Sequence, residues 1–224
     1  MRLLEALTEL VYPTRCAGCE LPGAVLCDTC RDTLPRIDGL GACPRCGAPY
    51  GHLVCTECWS REWAFSAALS LGEFESQLAR AVVLHKDAGE QRLGAVLGSL
   101  LAEQVASAWP GWAESVTFIP ATRAALRRRG FDHGRAIATH VAEQLGLPLS
   151  DALVRASAVD QRTLGRVERA RNAAGSFSAD VAVSGNVLLC DDVFTTGSTL
   201  DAAADVLLGS GAEEVRCATV ARAW

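Results

Sequence analysis

The run Val187-Leu188-Leu189-Cys190-Asp191-Asp192-Val193-Phe194-Thr195-Thr196-Gly197-Ser198-Thr199 joins an apolar strand to a polar turn and then to the start of a helix. The strand candidate Val187–Cys190 ends in two adjacent carboxylates, and residues 195–199 each carry a hydroxyl or are glycine. A helix N-terminus offers unpaired N–H groups and the positive end of its dipole, and so attracts phosphate. Gly197 permits close backbone approach, while Thr195, Thr196, Ser198 and Thr199 supply hydroxyl donors. Asp191 and Asp192 would repel a bare phosphate. They suit a ligand that also presents hydroxyls and a divalent cation, as a ribose phosphate does. An ordinary strand–turn–helix with a capping threonine needs neither the paired carboxylates nor the long polar run. No G-x-x-x-x-G-K-[ST] sequence is present, so the turn is not a Walker loop.

Working outward, apolar strands alternate with helical patterns. Ala67–Leu71 reads as a strand, followed by helices at Ser76–Lys86 and Gln91–Ala108 interrupted at Gly89. Val116–Ile119 is a strand ended by Pro120, and Arg135–Leu145 is a helix stopped by Gly146 and Pro148. After the polar run come a helix over Leu200–Leu208, closed by Gly209, and a strand over Val215–Val220. Such alternation predicts a parallel sheet covered on both faces. Residues 1–62 differ in kind, with eight of the ten cysteines, five of the eight prolines and little apolar periodicity. The expected organisation is therefore a small module over 1–62 and an α/β domain over 63–224.

Four C-x-x-C pairs fill the small module: Cys16 with Cys19, Cys27 with Cys30, Cys43 with Cys46, and Cys55 with Cys58. Two thiolates at this spacing on a tight turn can face one ion at the ~2.3 Å of a zinc–sulfur bond. Eight ligands suit two Cys₄ sites, pairing either sequentially or crossed; spacing does not choose between these, and it does not separate zinc from an iron–sulfur cluster. A closed Cys₄ site has no open position for catalysis, so the expected role is structural. Cys190 and Cys217 fall within strand patterns and read as inert core.

The net charge of −5 argues against a general polyanion-binding surface. Between Arg123 and Arg171, however, ten arginines face five acidic residues, giving that stretch +5 and the remainder −10. A basic segment in an acidic chain predicts a site for a discrete anion. Leu3–Val11 reads as a short amphipathic surface helix, too charged for a signal segment or a membrane span. With no span, the expected location is cytoplasmic, where ten cysteines are not read as disulfides.

The run at 187–199 is similar to the 5-phosphoribosyl 1-diphosphate (PRPP) signature of type I phosphoribosyltransferases. Arg129-Gly130-Phe131 matches an R-G-F motif, and Gln161, Leu164, Arg169 and Asn172 match a Q-x-x-L-x-x-x-x-R-x-x-N pattern. Together with the cysteine pairs, these features resemble the ComF family over nearly the whole chain. The resemblance implies a double zinc ribbon followed by a type I phosphoribosyltransferase-like parallel sheet flanked by helices. It gives Asp191 and Asp192 the ribose hydroxyls, Thr195 to Thr199 the 5-phosphate, and the turn from Pro120 into Arg123 the diphosphate. Ser157–Gly175 corresponds to a mobile loop whose Arg169 would take part in catalysis, with Mg²⁺ accompanying PRPP. The family usually continues R-G-F with Asn-Gln; Asp132-His133 stand here instead. The implied function is phosphoribosyl transfer in natural competence and DNA uptake, with single-stranded DNA and a DNA-translocating helicase as partners. The other class it implies is a non-catalytic PRPP-sensing or nucleic-acid-binding accessory protein.

Overall fold

The computed structural model describes residues 13–155 and 176–224. The helix expected at Leu3–Val11 and the loop expected at Ser157–Gly175, with Gln161, Leu164, Arg169 and Asn172, lie outside the described residues.

Six strands and seven α-helices order the described chain, beginning with two short helices in the cysteine segment, α1 (Asp28–Asp32) and α2 (Thr56–Trp59). Then follow β1 (Ala67–Glu73), α3 (Ser76–Lys86), α4 (Arg92–Ala108), β2 (Ser115–Phe118), α5 (Arg123–Arg129), α6 (His133–Leu145) and β3 (Leu153–Arg155). The chain closes with β4 (Phe177–Ala179), β5 (Asn186–Phe194), α7 (Ser198–Gly209) and β6 (Glu214–Arg222). Four strands form a wholly parallel sheet in the order β1-β6-β5-β2, as the apolar runs predicted. β3 and β4 pair antiparallel, bringing Arg155 opposite Phe177 on either side of the segment that is not described.

The sheet separates two cores. On one face Leu71, Leu188 and Val220 pack with Leu78 of α3, Leu97 and Leu101 of α4 and Ile137 of α6. Gly98 lets α4 lie against α6, since a Cβ there would meet the Ile137 carbonyl at 2.7 Å. On the other face Leu189, Phe194 and Cys217 pack with Leu200, Ala203 and Leu207 of α7. Each cysteine cluster joins one core: Cys16 and Cys30 the first, Cys43, Cys46 and Cys58 the second. Both are bound to the β1 edge, through Ile37 N–H to Leu71 O at 3.1 Å and Ala68 N–H to Arg45 O at 2.8 Å.

Two elements depart from the sequence reading. β5 does not stop before the carboxylates; it runs through Asp191 and Asp192 to Phe194. The ladder carries it on, pairing Asp191 with Thr219 and Phe194 with Arg222. Helix α6 starts two residues early because Asp132 caps it, its Oδ1 accepting the Arg135 N–H at 3.1 Å.

Candidate functional site

The cysteines form two groups of four, Cys16, Cys19, Cys27 and Cys30, and Cys43, Cys46, Cys55 and Cys58. Within each group the sulfurs lie within 4.8 Å of one another, which selects the sequential pairing over the crossed one. The two groups repeat one design. Cys27 and Cys55 each begin a short helix, and their N–H groups donate to Cys16 Sγ and Cys43 Sγ, both at 3.3 Å. All ten cysteines are free thiols. Sulfur pairs stand at 3.6 Å (Cys16–Cys27, Cys46–Cys55) and 3.8 Å (Cys19–Cys27). A tetrahedron of zinc–sulfur bonds of ~2.3 Å has edges of about 3.8 Å, so the donor set fits a tetrahedral thiophilic ion. Burial works to raise the Cys16 thiol, but N–H groups of Cys27, Cys19 and Gly18 outweigh it and hold it near about 6. Cys30 is pushed up to about 12 by burial and by its neighbouring sulfurs. Four thiolates thus need a cation between them. Both clusters could hold structural zinc.

The second site is a cavity of about 350 Å³ at the carboxyl end of the sheet, where open α/β folds place their ligands. Its wall includes Asp191 and Asp192 from β5, Thr195 and Thr199 from the turn into α7, and Pro120 to Thr122 after β2. Lys86, Arg129, His133 and Arg155 add basic side chains. Gly197, at φ +73°, is the N-cap of α7 and contributes no capping oxygen; in the first turn the Ser198 N–H donates to Thr196 Oγ1 at 3.4 Å. Thr196 Oγ1 lies 3.2 Å from Ser198 Oγ.

The carboxylates are buried, with 9% of Asp191 and 4% of Asp192 accessible. They are not equivalent. Burial opposes ionisation of Asp192, but the adjacent His133 imidazole and the Lys86 ammonium outweigh it and hold this carboxyl well below its usual range. Lys86 Nζ stands 2.6 Å from Asp192 Oδ2, and His133 Nε2 stands 3.3 Å from it. Asp191 lacks such partners; burial and the adjacent Asp192 charge push it well above the ordinary range. Arg129 Nη1 approaches His133 Nδ1 at 3.3 Å. An arginine can only donate, so Nδ1 accepts and Nε2–H points to Asp192.

Of the residues assigned from sequence, Asp191, Asp192, Thr195 and Thr199 come together in one cavity. Thr196, Gly197 and Ser198 complete the turn behind them. Arg123 opens α5 with its side chain exposed, outside the cavity wall. Arg169 lies outside the described residues. The sequence reading gave no site role to five contributors, Arg155 of the cavity wall among them. Lys86, the only lysine in the chain, and His133 are two others. Arg129 turns inward, its Nη2 2.8 Å from Asp87 Oδ1. Asp132 Oδ2 accepts the Ala121 N–H at 2.7 Å, tying the turn after β2 to the start of α6. An aspartate just before a helical pattern was a usable capping signal; the others depend on tertiary approach.

The phosphoribosyl transferase domain model matches residues 132–223. The "DNA utilization protein YhgH" of Salmonella typhi is 28% identical over 221 residues, covering 92% of this chain and 96% of the relative. The "Competence protein ComFC" of Bacillus subtilis is 27% identical over 198 residues, covering 85% of this chain and 80% of that one. Among solved structures, the glutamine PRPP amidotransferase from B. subtilis is similar to 57% of this chain and 26% of its own length, with 23% identity and a TM-score of 0.42.

Proposed function

The matches support a ComF-family assignment for this chain, and from that premise we propose that its α/β domain binds PRPP and transfers the phosphoribosyl group to an acceptor. One observation carries the reading: a single cavity combines paired carboxylates, a helix N-terminus with glycine at its N-cap and several basic side chains. A phosphorylated sugar with a diphosphate leaving group uses all three. The 5-phosphate would lie against the Thr195–Thr199 turn, and the ribose hydroxyls against Asp191 and Asp192. Arg129 has less than a tenth of its side chain exposed, and its buried Nε finds no acceptor among the described residues. Arg129 and Arg155 supply counter-charge on the diphosphate side, joined by Arg169 from the segment beyond β3.

In the reaction, the C1–oxygen bond to diphosphate breaks with its electron pair leaving on diphosphate, and the acceptor's nucleophile bonds to C1. Catalysis of such a step is mainly positioning and electrostatic stabilisation of the departing charge. Mg²⁺ accompanying the ligand would neutralise diphosphate charge, and among the described residues His133, Asp191 and Asp192 form the group in this cavity that could hold it. The DNA-linked names of the relatives support a place in DNA uptake, with single-stranded DNA and a DNA-translocating helicase as proposed partners.

One observation favours a second reading, a non-catalytic PRPP sensor. Among the described residues, the cavity wall holds no Phe, Tyr or Trp on which an acceptor base could stack. Titration calorimetry with PRPP and Mg²⁺, followed by a diphosphate-release screen over nucleobases and related acceptors, separates the readings. Binding with release supports the transferase, and binding without release under every acceptor supports the sensor. No binding refutes both.

A further inference from the structure

The second cysteine cluster lies directly beneath the phosphate loop, and one side chain bridges them. Trp63 Nε1–H donates to Cys58 Sγ at 3.2 Å. The far edge of the same indole packs under Gly197: a Cβ built there would meet Trp63 Cη2 and Cζ3 at 2.8 Å and Phe194 Cζ at 2.7 Å. Phe65 stacks on the ring at 4.9 Å between centroids, and Phe194 meets it edge-on at 6.2 Å. Above it, the Arg61 guanidinium lies 3.6 Å from the ring centroid and donates to the Thr196 carbonyl at 3.3 Å. Asp201, in the first turn of α7, accepts the Ala64 N–H at 2.7 Å and faces Arg61 at 3.7 Å. Arg222 makes a parallel link: it donates to the Cys46 carbonyl, approaches Cys46 Sγ at 3.5 Å and covers Phe194 at 4.1 Å. The loop is therefore held before, within and after Gly197 by side chains seated on this cluster. The first cluster instead packs with α3 and α4 on the opposite face.

We propose that Trp63 is a positioning residue for the phosphate loop, transmitting the order of the Cys43–Cys58 cluster to the backbone at Gly197. The inference rests on the PRPP reading of that loop. Gly197 sits in the left-handed region that a glycine occupies freely. Such a residue has wide freedom in isolation, and the N–H groups of Ser198 and Thr199 follow wherever its peptide points. An indole pressed against its Cα removes that freedom, provided the indole is itself fixed. The hydrogen bond to Cys58 fixes it, and a metal-bound sulfur has no rotamer freedom of its own. On this argument an ion in the second cluster raises affinity for the ligand without touching it. An ion in the first lies across the sheet from this loop.

The test compares the metal-loaded full chain with Trp63→Phe and Trp63→Ala, measuring three quantities on each sample. These are zinc content, hydrogen exchange of residues 195–201 in the absence of ligand, and affinity for PRPP with Mg²⁺. Trp63→Ala should exchange faster over 195–201 and bind PRPP about tenfold more weakly or worse, the scale of truncating a packed aromatic anchor. Trp63→Phe keeps most of the ring and loses the N–H···S bond, so a loss of about threefold is expected. Chelating the second-cluster ion should loosen the loop in the wild type and add little in Trp63→Ala; a general structural role would make the two losses add. Full zinc content with unchanged loop exchange in Trp63→Ala overturns the proposal. If that variant loses its metal, Trp63→Phe decides, and unchanged exchange and affinity in it overturn the proposal equally. Should the wild type bind no PRPP, the ribose-phosphate reading fails, while exchange in the unliganded loop still tests the brace.

Discussion

Asp191→Asn should stabilise the fold while removing PRPP binding, because burial and the adjacent Asp192 charge outweigh the Lys86 ammonium at the wild-type carboxyl. Lys86 and His133 both approach Asp192 Oδ2, whereas the bond assigned to Asp191 is from the Asp192 N–H to its Oδ1 at 2.9 Å. Asparagine retains that acceptor and removes the charge. Each unit by which a carboxyl is raised on folding corresponds to ~1.4 kcal/mol lost once the unfolded chain ionises. Against this gain, the new amide needs its own hydrogen-bond partner. A net gain of about 1–2 kcal/mol at pH 7 is the expected scale. For a chain of this size it raises Tm by roughly 2–8 °C. The sign with pH follows from the raised folded value. Below the unfolded carboxyl range both states are protonated and nothing is lost; as pH rises, the unfolded state ionises first and wild-type stability falls. The Tm gap should therefore be small near pH 4 and widen toward neutrality, read by calorimetry at fixed zinc concentration. A variant less stable than wild type at pH 7, or a gap that ignores pH, would refute this account of the pair.

Asp192→Asn should behave oppositely, costing about 1–3 kcal/mol by stranding Lys86 and His133, and thermal unfolding beside Asp191→Asn checks the contrast. Metal analysis should return about two zinc per chain for two Cys₄ sites; one would remove a site, and none would remove the zinc reading. PRPP with Mg²⁺ should protect Ser157–Gly175 from proteolysis, and Arg169→Ala should weaken PRPP binding about tenfold through loss of a charge-assisted contact. Protection of that segment by single-stranded DNA alone would sink its assignment as a lid.

The parallel sheet was legible because Val187–Cys190 of β5 is a continuous apolar run, buried on both faces, in a chain where strands alternate with helices. The cysteine clusters were legible because a C-x-x-C turn constrains its sulfurs locally; only their pairing needed the fold. The extent of β5 was not. Two adjacent aspartates read as the end of a strand, yet pairing along β6 carries the strand through them to Phe194. Lys86 and His133 belong to different helices, α3 and α6, and meet at Asp192 only after α4 brings those helices together. Trp63 was equally hidden. Nothing in the spacing of Trp63, Cys58 and Gly197 announces that one ring touches both.

The asymmetry of the acidic pair reconciles two features that conflict in sequence, carboxylates on one strand and an anion beside them. With Asp192 neutralised by Lys86 and Asp191 inclined to keep its proton, the resting cavity presents little negative charge to an approaching phosphate. Arg129 and Arg155 then set the sign of the field. The same arrangement bears on the cation. A divalent ion arriving alone would have to displace an ammonium 2.6 Å from Asp192, whereas one already carried by a diphosphate brings the anionic charge that Lys86 can turn to. On the proposed PRPP reading, cation and ligand would therefore enter together, and Lys86 would leave Asp192 for the incoming phosphate; calorimetry should then show Mg²⁺ alone failing to bind this cavity.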